Sequence, residues 1–394
     1  MPRDVRRFMG PSKSQSHTLE AIGHAEDFSK IITNIDPDST FFLNEFGDAE
    51  DAVELDFGWL TEGLRPPKVN AHFEKEDYTS REVGSLEGLH NHVQFFQSSG
   101  YVTNAQQKVK KMYNPQDEFS RLYKNVFTEH ARDIEYMICN GDVARPENGD
   151  RPALCGGIPY FMQVQNIAAT IAGGVITTAE PHGLKTGDFV YFTGDLPDEL
   201  TQARMYYIRQ TDPDNEFQFR VYNTIKGAVE DIADDMVAAA DASCFIVKNN
   251  VVDLEGEADF DIDDLNNIMQ MCYNRGGNPT LAVMSPAKKR RFSSLVTALM
   301  QINRDATKTR KVDLVADAVE TDFGVITAKA HRMYADNRID LLDMQYWDKK
   351  WFERTHQVTG LPKKGTYKEF VIESSLGIKG TQPKASGSLL NIKR

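Results

Sequence analysis

Closely spaced cysteines are missing from this chain. Its four cysteines, Cys139, Cys155, Cys244 and Cys272, are far apart and form no CxxC pair. Zinc ribbons and thioredoxin-like redox sites need such pairs, and disulfide-stapled secreted domains need a denser cysteine framework. We therefore predict four reduced thiols in the protein interior, without a disulfide or a metal role.

Long apolar runs are also missing. No stretch approaches the roughly 20 apolar residues that a membrane helix needs. The N-terminal segment MPRDVRRFMGPSKSQSHT is basic, but no apolar core follows it as in a secretory signal. The sequence therefore predicts a soluble protein that is made in the cytoplasm and has no membrane partner.

An excess of positive charge is lacking as well. The chain carries 45 Lys and Arg residues against 58 Asp and Glu residues, a net charge of −13. This balance argues against a dedicated nucleic-acid binder and leaves only local or non-specific proximity to nucleic acid. Residues 167–246 hold 5 basic and 13 acidic residues, so their net charge of −8 is most of the total.

Motifs that carry catalysis or bind cofactors are absent. The sequence contains no GxGxxG, HExxH or GxSxG. GLPKKGT at 360–366 resembles a phosphate-binding loop, but Thr366 stands where lysine should follow the second glycine. No set of residues supplies a nucleophile with a base and an orienting group. We predict no enzyme activity, no catalytic residues and no cofactor.

Metal ligands in a recognisable pattern are missing too. DLEGEADFDIDD at 253–264 holds seven carboxylates, but a calcium loop beginning at Asp259 would need glycine at Asp264 and glutamate at Gln270. Acidic residues at a helix N-terminus explain the cluster better. His90 and His92 have no third ligand and read as a surface pair. We predict no metal site.

Four other features have a structural explanation that outweighs a functional one. His130 is predicted to be a packed or hydrogen-bonded helix residue rather than a catalyst. His182 lies in a Pro-His-Gly turn, and a role in that turn explains it. KKRR at 288–291 begins a helix, where cations are unfavourable to the helix dipole. A carboxylate or phosphate partner would offset this, but a solvated helix face is the preferred interpretation. Trp347 and Trp351 are predicted to pack in the core or between subunits.

The chain does contain one long helical pattern, QDEFSRLYKNVFTEHARDIEYMICN at 116–140. Pro115 before it and Gly141 after it mark its ends, and Asn114 can cap it. Apolar residues recur every three or four positions, which predicts one apolar stripe, interrupted at His130 and Asp133. We predict a long strut with other layers packed against it.

The segments around this helix differ in character. Before it, the chain is extended: VELDFGWL alternates from Val53 to Trp59, VNAHFEKEDYTSREVG predicts a charged strand and HVQFFQSSGYVT a third strand. A two-stranded excursion without a core is unstable alone, so it must lie on another surface. Residues 167–246 predict a compact, acidic, all-β insert. From Asp259, helices and strands alternate again, and 381–394 reads as a tail.

Six motifs occur in one order along the chain. They are RDIEYMICNG, RPALCGGIPYFMQ, LNNIMQMCYNRGGNPTLAVMSPAKKRRFSSL, VETDFGVITAKAHRMY, LLDMQYWDKKW and KGTYKEFVIESSLGIKG. In this order they resemble the major capsid proteins of tailed bacteriophages, in particular the SU10-like family. ITNIDPDSTFF and FGWL upstream fit the same family, so the resemblance covers about residues 28–166 and 246–380.

The resemblance implies an α+β fold of the HK97-like capsid type with an inserted small all-β domain. The implied segments are an N-terminal arm at 1–40, an extended loop region at 41–105, a spine helix and peripheral domain at 106–166, the β insert at 167–246, an axial domain at 247–345, and a return to the core sheet with a C-terminal tail at 346–394.

The resemblance also implies a function. The protein would self-assemble from hexamers and pentamers into an icosahedral head shell around a phage double-stranded DNA genome. Its partners would be portal, scaffold and cement proteins, and it would assemble in the host cytoplasm and reside in the virion. The alternative is a ligand- or receptor-binding tail protein that uses the β insert. We expect Phe57 and Trp59 to pack in or beside an inter-subunit contact.

Overall fold

The structure, a computed structural model, describes residues 40–62, 74, 87–108, 118–300 and 318–393. Within these ranges it leaves out residues 165, 183, 195, 202–203, 213–216, 238, 248, 255, 257–258, 361 and 363–364, and the side chains of 297–300. The predicted arm up to residue 39, most of the charged strand predicted at 69–84, and the predicted helix cap at Asn114 lie outside the described residues. Among the helices described, none is long and apolar enough to span a bilayer.

The described chain alternates between helices and strands. The helices are α1 (Phe41–Glu45), α2 (Asn104–Lys108), α3 (Glu118–Asn140), α4 (Ile158–Phe161), α5 (Ile225–Glu230), α6 (Ile262–Asn274) and α7 (Pro286–Met300). The strands are β1 (Gly47–Asp48), β2 (Asp56–Thr61), β3 (Glu87–His92), β4 (Gln94–Thr103), β5 (Asn166–Ala172), β6 (Val175–Thr178), β7 (Phe189–Thr193), β8 (Tyr206–Gln210), β9 (Gln218–Tyr222), β10 (Ala242–Val247), β11 (Val251–Asp253), β12 (Leu281–Met284), β13 (Ala318–Thr321), β14 (Gly324–Ala330), β15 (Ile339–Leu342), β16 (Trp347–Gln357), β17 (Tyr367–Gly380) and β18 (Gly387–Leu390).

The long helix α3 packs against one face of a four-stranded sheet in the order β1–β16–β17–β4. Its predicted apolar stripe is the face that packs, with Phe119 and Tyr123 both in edge contact with Phe370 of β17. The predicted interruption at His130 is wrong, because that side chain is fully buried within the stripe, whereas Asp133 is exposed. The imidazole stays there because it has hydrogen-bond partners in the sheet.

A second layer is a six-stranded sheet in the order β11–β18–β15–β12–β14–β13, with α6 and α7 packed on it. The acidic run before α6 supplies its N-terminus, as predicted. The Asp261 side chain accepts a hydrogen bond from the backbone N–H of Asp264, and the Asp264 side chain accepts one from the backbone N–H of Asp261 at 2.9 Å. This reciprocal arrangement is a capping box.

The C-terminal segment does not form the predicted tail. β18 lies inside the six-stranded sheet, parallel to β11 on one side and antiparallel to β15 on the other. Ser386, Ser388 and Leu389 are completely buried. The Gly- and Ser-containing composition of this segment does not predict a strand. The strand forms by pairing with β11 and β15, which are both distant in the sequence.

Residues 166–247 form a closed six-stranded barrel in the order β10–β5–β6–β9–β8–β7. Its interior is filled by apolar and aromatic side chains, among them Ile176, Phe192, Tyr206, Phe219 and Val221. The barrel is attached to the C-terminal end of α6.

Two side chains at that end of α6 make the attachment. Asn274 donates a hydrogen bond to the Tyr191 hydroxyl at 3.0 Å, and the Arg275 guanidinium lies 5.6 Å from the ring centre of Phe189. These polar and cation–π contacts add to the apolar packing of Met271 of α6 against Tyr191 and Val247 of the barrel.

Strands β2 and β3 form an antiparallel hairpin that pairs with no other strand among the described residues. The predicted alternation from Val53 onward is wrong in its first half. The strand begins at Asp56, and Val53 and Leu55 precede it with exposed side chains.

Candidate assembly surface and its buried anchors

Three exposed apolar side chains lie within eight residues in and just before strand β2. Val53 is 90% exposed, Leu60 67% and Leu55 43%. Single exposed apolar residues need no explanation, but several along one short segment indicate an interaction site. We call Val53, Leu55 and Leu60 the hairpin patch.

Phe57 and Trp59 pack mainly on their own chain. Phe57 is 7% exposed, and its ring stacks on Trp59 with a centroid separation of 6.0 Å. Trp59 is half-buried and lies 6.0 Å from the ring of Phe161. Because side chains alternate along a strand, Leu60 points to the face opposite Phe57 and Trp59. The two aromatic rings therefore lie on the face of β2 opposite Leu60.

Helix α1, which follows residues 1–39 in the sequence, is anchored by a buried carboxylate. Both oxygens of the buried Glu135 carboxylate accept hydrogen bonds from its first turn, from the backbone N–H of Phe42 at 2.8 Å and of Leu43 at 2.9 Å. The first N–H groups of a helix have no partner within the helix, so a carboxylate here is well placed. Glu135 thus ties the start of α1 to the spine helix α3.

His331 completes this polar cluster. Its Nδ1 accepts a hydrogen bond from the backbone N–H of Met333 at 3.3 Å, which leaves Nε2 to donate to Glu135 at 3.0 Å. Cys139 lies on the Nδ1 side, 3.7 Å away. Glu135, Cys139 and His331 bring three potential metal-ligand atoms within 4.8 Å of one another. All three side chains also have hydrogen-bond partners or close polar contacts within the protein. Hydrogen bonding accounts for the cluster.

A second buried network adjoins the first. Arg338 donates from Nε to Asp340 at 2.8 Å, and its Nη2 lies 2.7 Å from the other carboxylate oxygen. The hydroxyls of Tyr334 and Ser388 also donate to this carboxylate. Burial raises the pKa of Asp340, and Arg338 opposes that shift. The charge is therefore held inside the protein by three hydrogen bonds, from Arg338 Nε and the two hydroxyls, and by the nearby guanidinium charge, rather than by solvent.

The fully buried His130 joins α3 to the sheet. Its Nδ1 lies 2.9 Å from Ser98 Oγ on β4, and its Nε2 lies 2.7 Å from Ser374 Oγ on β17. Burial lowers the pKa of His130 to about 4, from an ordinary value of 6.5. The folded protein therefore favours the neutral ring.

This shift predicts an acid-dependent loss of stability. A pKa lowered in the folded state means that the stabilisation is complete above pH 6.5 and is lost as the pH falls towards 4. The free energy of unfolding of the unassembled protein should fall by about 3 kcal/mol over this interval. Urea unfolding at pH 7 and pH 4.5 measures the loss. In His130→Gln, which cannot titrate, the pH dependence should shrink by about that amount; an unchanged dependence contradicts the assignment.

Other residues considered in the sequence have structural partners. All four cysteines are free and buried, as predicted. Lys288 of the basic run is buried and pairs with Asp259 at 2.9 Å, so its partner is a carboxylate of the same chain. His92 pairs with Asp56 across the hairpin. Trp347 and Trp351 are buried in the main core, as expected.

His182 and GLPKKGT also read as turns. His182 accepts a hydrogen bond from the backbone N–H of Leu184 at 2.9 Å, which closes its turn. Gly360 has a φ of +81°, which suits glycine in a turn rather than the start of a phosphate-binding helix.

Three buried polar residues were not predicted from the sequence. Asn91 joins the hairpin to the core, Glu135 joins α1 to α3, and Asp340 pairs with Arg338 in the second layer. Glu135 and Asp340 each interrupt an apolar run, in IEYMIC and IDLL. A charged residue inside such a run was the available signal for a buried, paired carboxylate. Asn91, in EGLHNH, carries no comparable signal.

Comparisons with known proteins agree with one another. A family model described as SU10 major capsid protein matches residues 12–393. The chain is also similar to the capsid of Cyanophage A-1(L), with a TM-score of 0.54 and 9% identity over 91% of this chain and 93% of that one. At this identity the likeness shows a shared fold: the mixed helix and sheet fold of a phage capsid protein.

Two further solved structures are similar to this chain at lower scores. The capsid of a native GTA particle gives a TM-score of 0.47 and 9% identity, covering 90% of this chain and 91% of that one. The procapsid of satellite phage P4, which includes a size determination protein, gives 0.43 and 9%, covering 93% and 91%. No curated protein matches the chain.

Proposed function

The chain belongs to the SU10 major capsid protein family and is a shell-forming capsid protein of a phage head; from this premise we propose how its shell is built. Copies assemble into hexamers and pentamers that close an icosahedral shell around double-stranded DNA, in the host cytoplasm. The work is done by burial of interfaces, without catalysis, metal or cofactor.

The observation that carries the proposal is the hairpin patch on a two-stranded hairpin. The hairpin has no further strand partner among the described residues, and its outer face carries the exposed Leu60. Two strands without a core of their own need a surface to lie on. The face that carries Phe57 and Trp59 lies on its own chain, and a neighbouring copy covers the opposite, exposed face. A heterologous contact repeated in this way closes into rings. In this proposal Phe57 and Trp59 lie beside the contact, on the face of β2 opposite Leu60.

The proposed segments keep the boundaries implied by the family. The arm is 1–40, the extended loop region 41–105, the spine helix and peripheral domain 106–166, and the axial domain 247–345, with 346–394 returning to the core. Portal, scaffold and cement proteins are the proposed partners of the assembled shell.

Residues 167–246 are the proposed inserted domain, on the outer surface of the shell. The barrel formed by 166–247 supports an independent unit, because its strands close on themselves and enclose their own core. The net charge of −8 over 167–246 favours the outside, since a lumenal position would set it against packaged DNA.

The hairpin patch gives a direct test by substitution. Val53→Ser together with Leu60→Ser should reduce shell formation at least about tenfold, because two exposed apolar anchors worth about 1 to 2 kcal/mol each are lost from every contact. Sedimentation velocity measures the fraction of protein in particles. Stability should change little, since both side chains are exposed.

A matched control is Val229→Ser, which removes an exposed apolar side chain from the barrel, where Val229 is 39% exposed. Its particle fraction should equal that of the wild type. Normal assembly of the Val53/Leu60 variant would remove the hairpin patch from the proposed contact.

A further inference from the structure

Asn91 lies on β3 at the base of the hairpin and is completely buried. Its Nδ2 donates to the carbonyl oxygens of Gly156 at 2.8 Å and Ile378 at 2.7 Å. Its Oδ1 accepts from the backbone N–H of Gly156 and of His92, both at 2.9 Å. A carboxamide has two donor hydrogens and two acceptor lone pairs, and all four are used here.

These hydrogen bonds join three separate parts of the chain. Gly156 belongs to the loop after the spine helix, and that loop is itself tied back because Gly157 N–H donates to the Gly141 carbonyl at 2.9 Å. Ile378 lies in β17, in the middle of the four-stranded sheet. Asn91 therefore connects the hairpin to the end of α3 and to the central strand at the same point.

Strand β2, the other strand of the hairpin, has a separate packing contact with the sheet. The Phe57 ring lies over Gly377, where a Cβ atom would collide with it. Lys350 and Lys379 place their ammonium groups 5.4 Å from the Phe57 ring centre and 5.9 Å from that of Trp59. Both strands of the hairpin are thus fixed at the base, one by hydrogen bonds and one by close packing.

The direction of the hairpin depends on these base contacts. A two-stranded ribbon that pairs only with itself is not held in direction by a larger sheet. Without a clamp its outer end would sample many directions, and only a fraction of them would suit the next copy. The apparent affinity of a contact falls in proportion to the fraction of molecules in the competent orientation.

We propose that Asn91 is a positioning residue for assembly: by bonding Gly156 and Ile378 it sets the direction in which the hairpin leaves the core, and so aims the hairpin patch at the next copy. The inference rests on the proposed function. Asn91 itself is buried and touches no partner, and it acts through the hairpin.

The first measurement is the direction of the hairpin before assembly. Spin labels on Leu60→Cys and Asp133→Cys, one on the hairpin and one on the exposed side of α3, report their distance by pulsed electron resonance. The four native cysteines are buried and do not compete for the label. The native chain should give one narrow distance distribution, and Asn91→Ala should broaden it.

Asn250→Ala is the matched control. Asn250 is also buried and donates to two backbone carbonyls, of Lys384 at 2.5 Å and Ser386 at 3.2 Å, and neither of these hydrogen bonds involves the hairpin. It should lower thermal stability as Asn91→Ala does and leave the distance distribution narrow. Equal broadening in both variants would show that Asn91 only stabilises the fold in general, and it would overturn the proposal.

Gly377→Ala is the second variant, because it keeps every hydrogen bond of Asn91 and adds one methyl group under the Phe57 ring. It should shift the label distance even where Asn91→Ala folds poorly. An unshifted distance in Gly377→Ala together with a narrow distribution in Asn91→Ala contradicts the proposal.

Assembly is measured separately, in chains without labels. If the competent direction becomes one of about ten, the particle fraction of Asn91→Ala at limiting concentration should fall about tenfold, with Asn250→Ala assembling as the wild type at a temperature where both are folded. Normal particles from Asn91→Ala overturn the inference alone. Absence of particles from the wild type overturns the proposed function, while the label distances still decide whether Asn91 fixes the hairpin.

Discussion

Arg338→Met is expected to lower the free energy of unfolding by about 3 to 5 kcal/mol, because it leaves the Asp340 carboxylate buried without its cation. Asp340 is completely buried, and the hydroxyls of Tyr334 and Ser388 are its remaining donors. Two neutral hydroxyl donors do not replace the charged guanidinium, whose Nε donates to the carboxylate at 2.8 Å. Urea unfolding of the unassembled protein at pH 7 measures the difference.

The double variant Arg338→Met with Asp340→Leu is the control for this prediction. Replacing both members of a buried ion pair with apolar residues removes the uncompensated charge, so the double variant should be more stable than Arg338→Met alone. A single variant within 1 kcal/mol of the wild type, or a double variant no better than the single, would show that the pair does not carry the stability assigned to it.

Glu135→Ala is expected to cost about 4 kcal/mol, because it leaves three buried donors unpaired at about 1 to 3 kcal/mol each. They are the backbone N–H groups of Phe42 and Leu43 and the Nε2–H of His331. The loss should be concentrated where α1 meets α3. Hydrogen exchange of residues 41–46 should accelerate more than exchange in the barrel.

Glu129→Ala is the matched variant, since Glu129 lies on the same helix and is exposed. Its free energy of unfolding should remain within about 0.5 kcal/mol of the wild type. If Glu135→Ala loses no more than Glu129→Ala, or if exchange accelerates uniformly, Glu135 is not the anchor of α1.

The two anchors have a common place in the fold. Glu135 fixes the start of α1, which follows residues 1–39, and Asn91 fixes the base of the hairpin that encloses residues 63–86. Both contact the layer built on α3. Glu135 lies on α3 itself, and the partners of Asn91 lie in the loop after α3 and in β17.

Local patterns predicted much of this fold. The apolar stripe predicted α3, and the acidic run at 253–264 predicted a helix N-terminus, which is that of α6. The order of six motifs predicted the capsid family, which the family model confirms. These signals depend on neighbours along the chain, and such neighbours are visible in the sequence.

Long-range pairing was not visible. β18 was taken for a tail because its partners β11 and β15 are distant in the chain. The prediction that His130 is packed or hydrogen-bonded is confirmed, but its partners Ser98 and Ser374 come from two other strands, so its place inside the apolar stripe was not visible. Asn91 was missed for the same reason, since its partners lie 65 and 287 residues away.

Electron microscopy of the purified protein tests the shell directly. Closed particles, or rings of six and five copies, are the expected images, because each copy carries an exposed hairpin patch that needs a neighbour. A field of soluble monomers or trimers at all concentrations, with no rings and no shells, would contradict the assembly proposed for this protein.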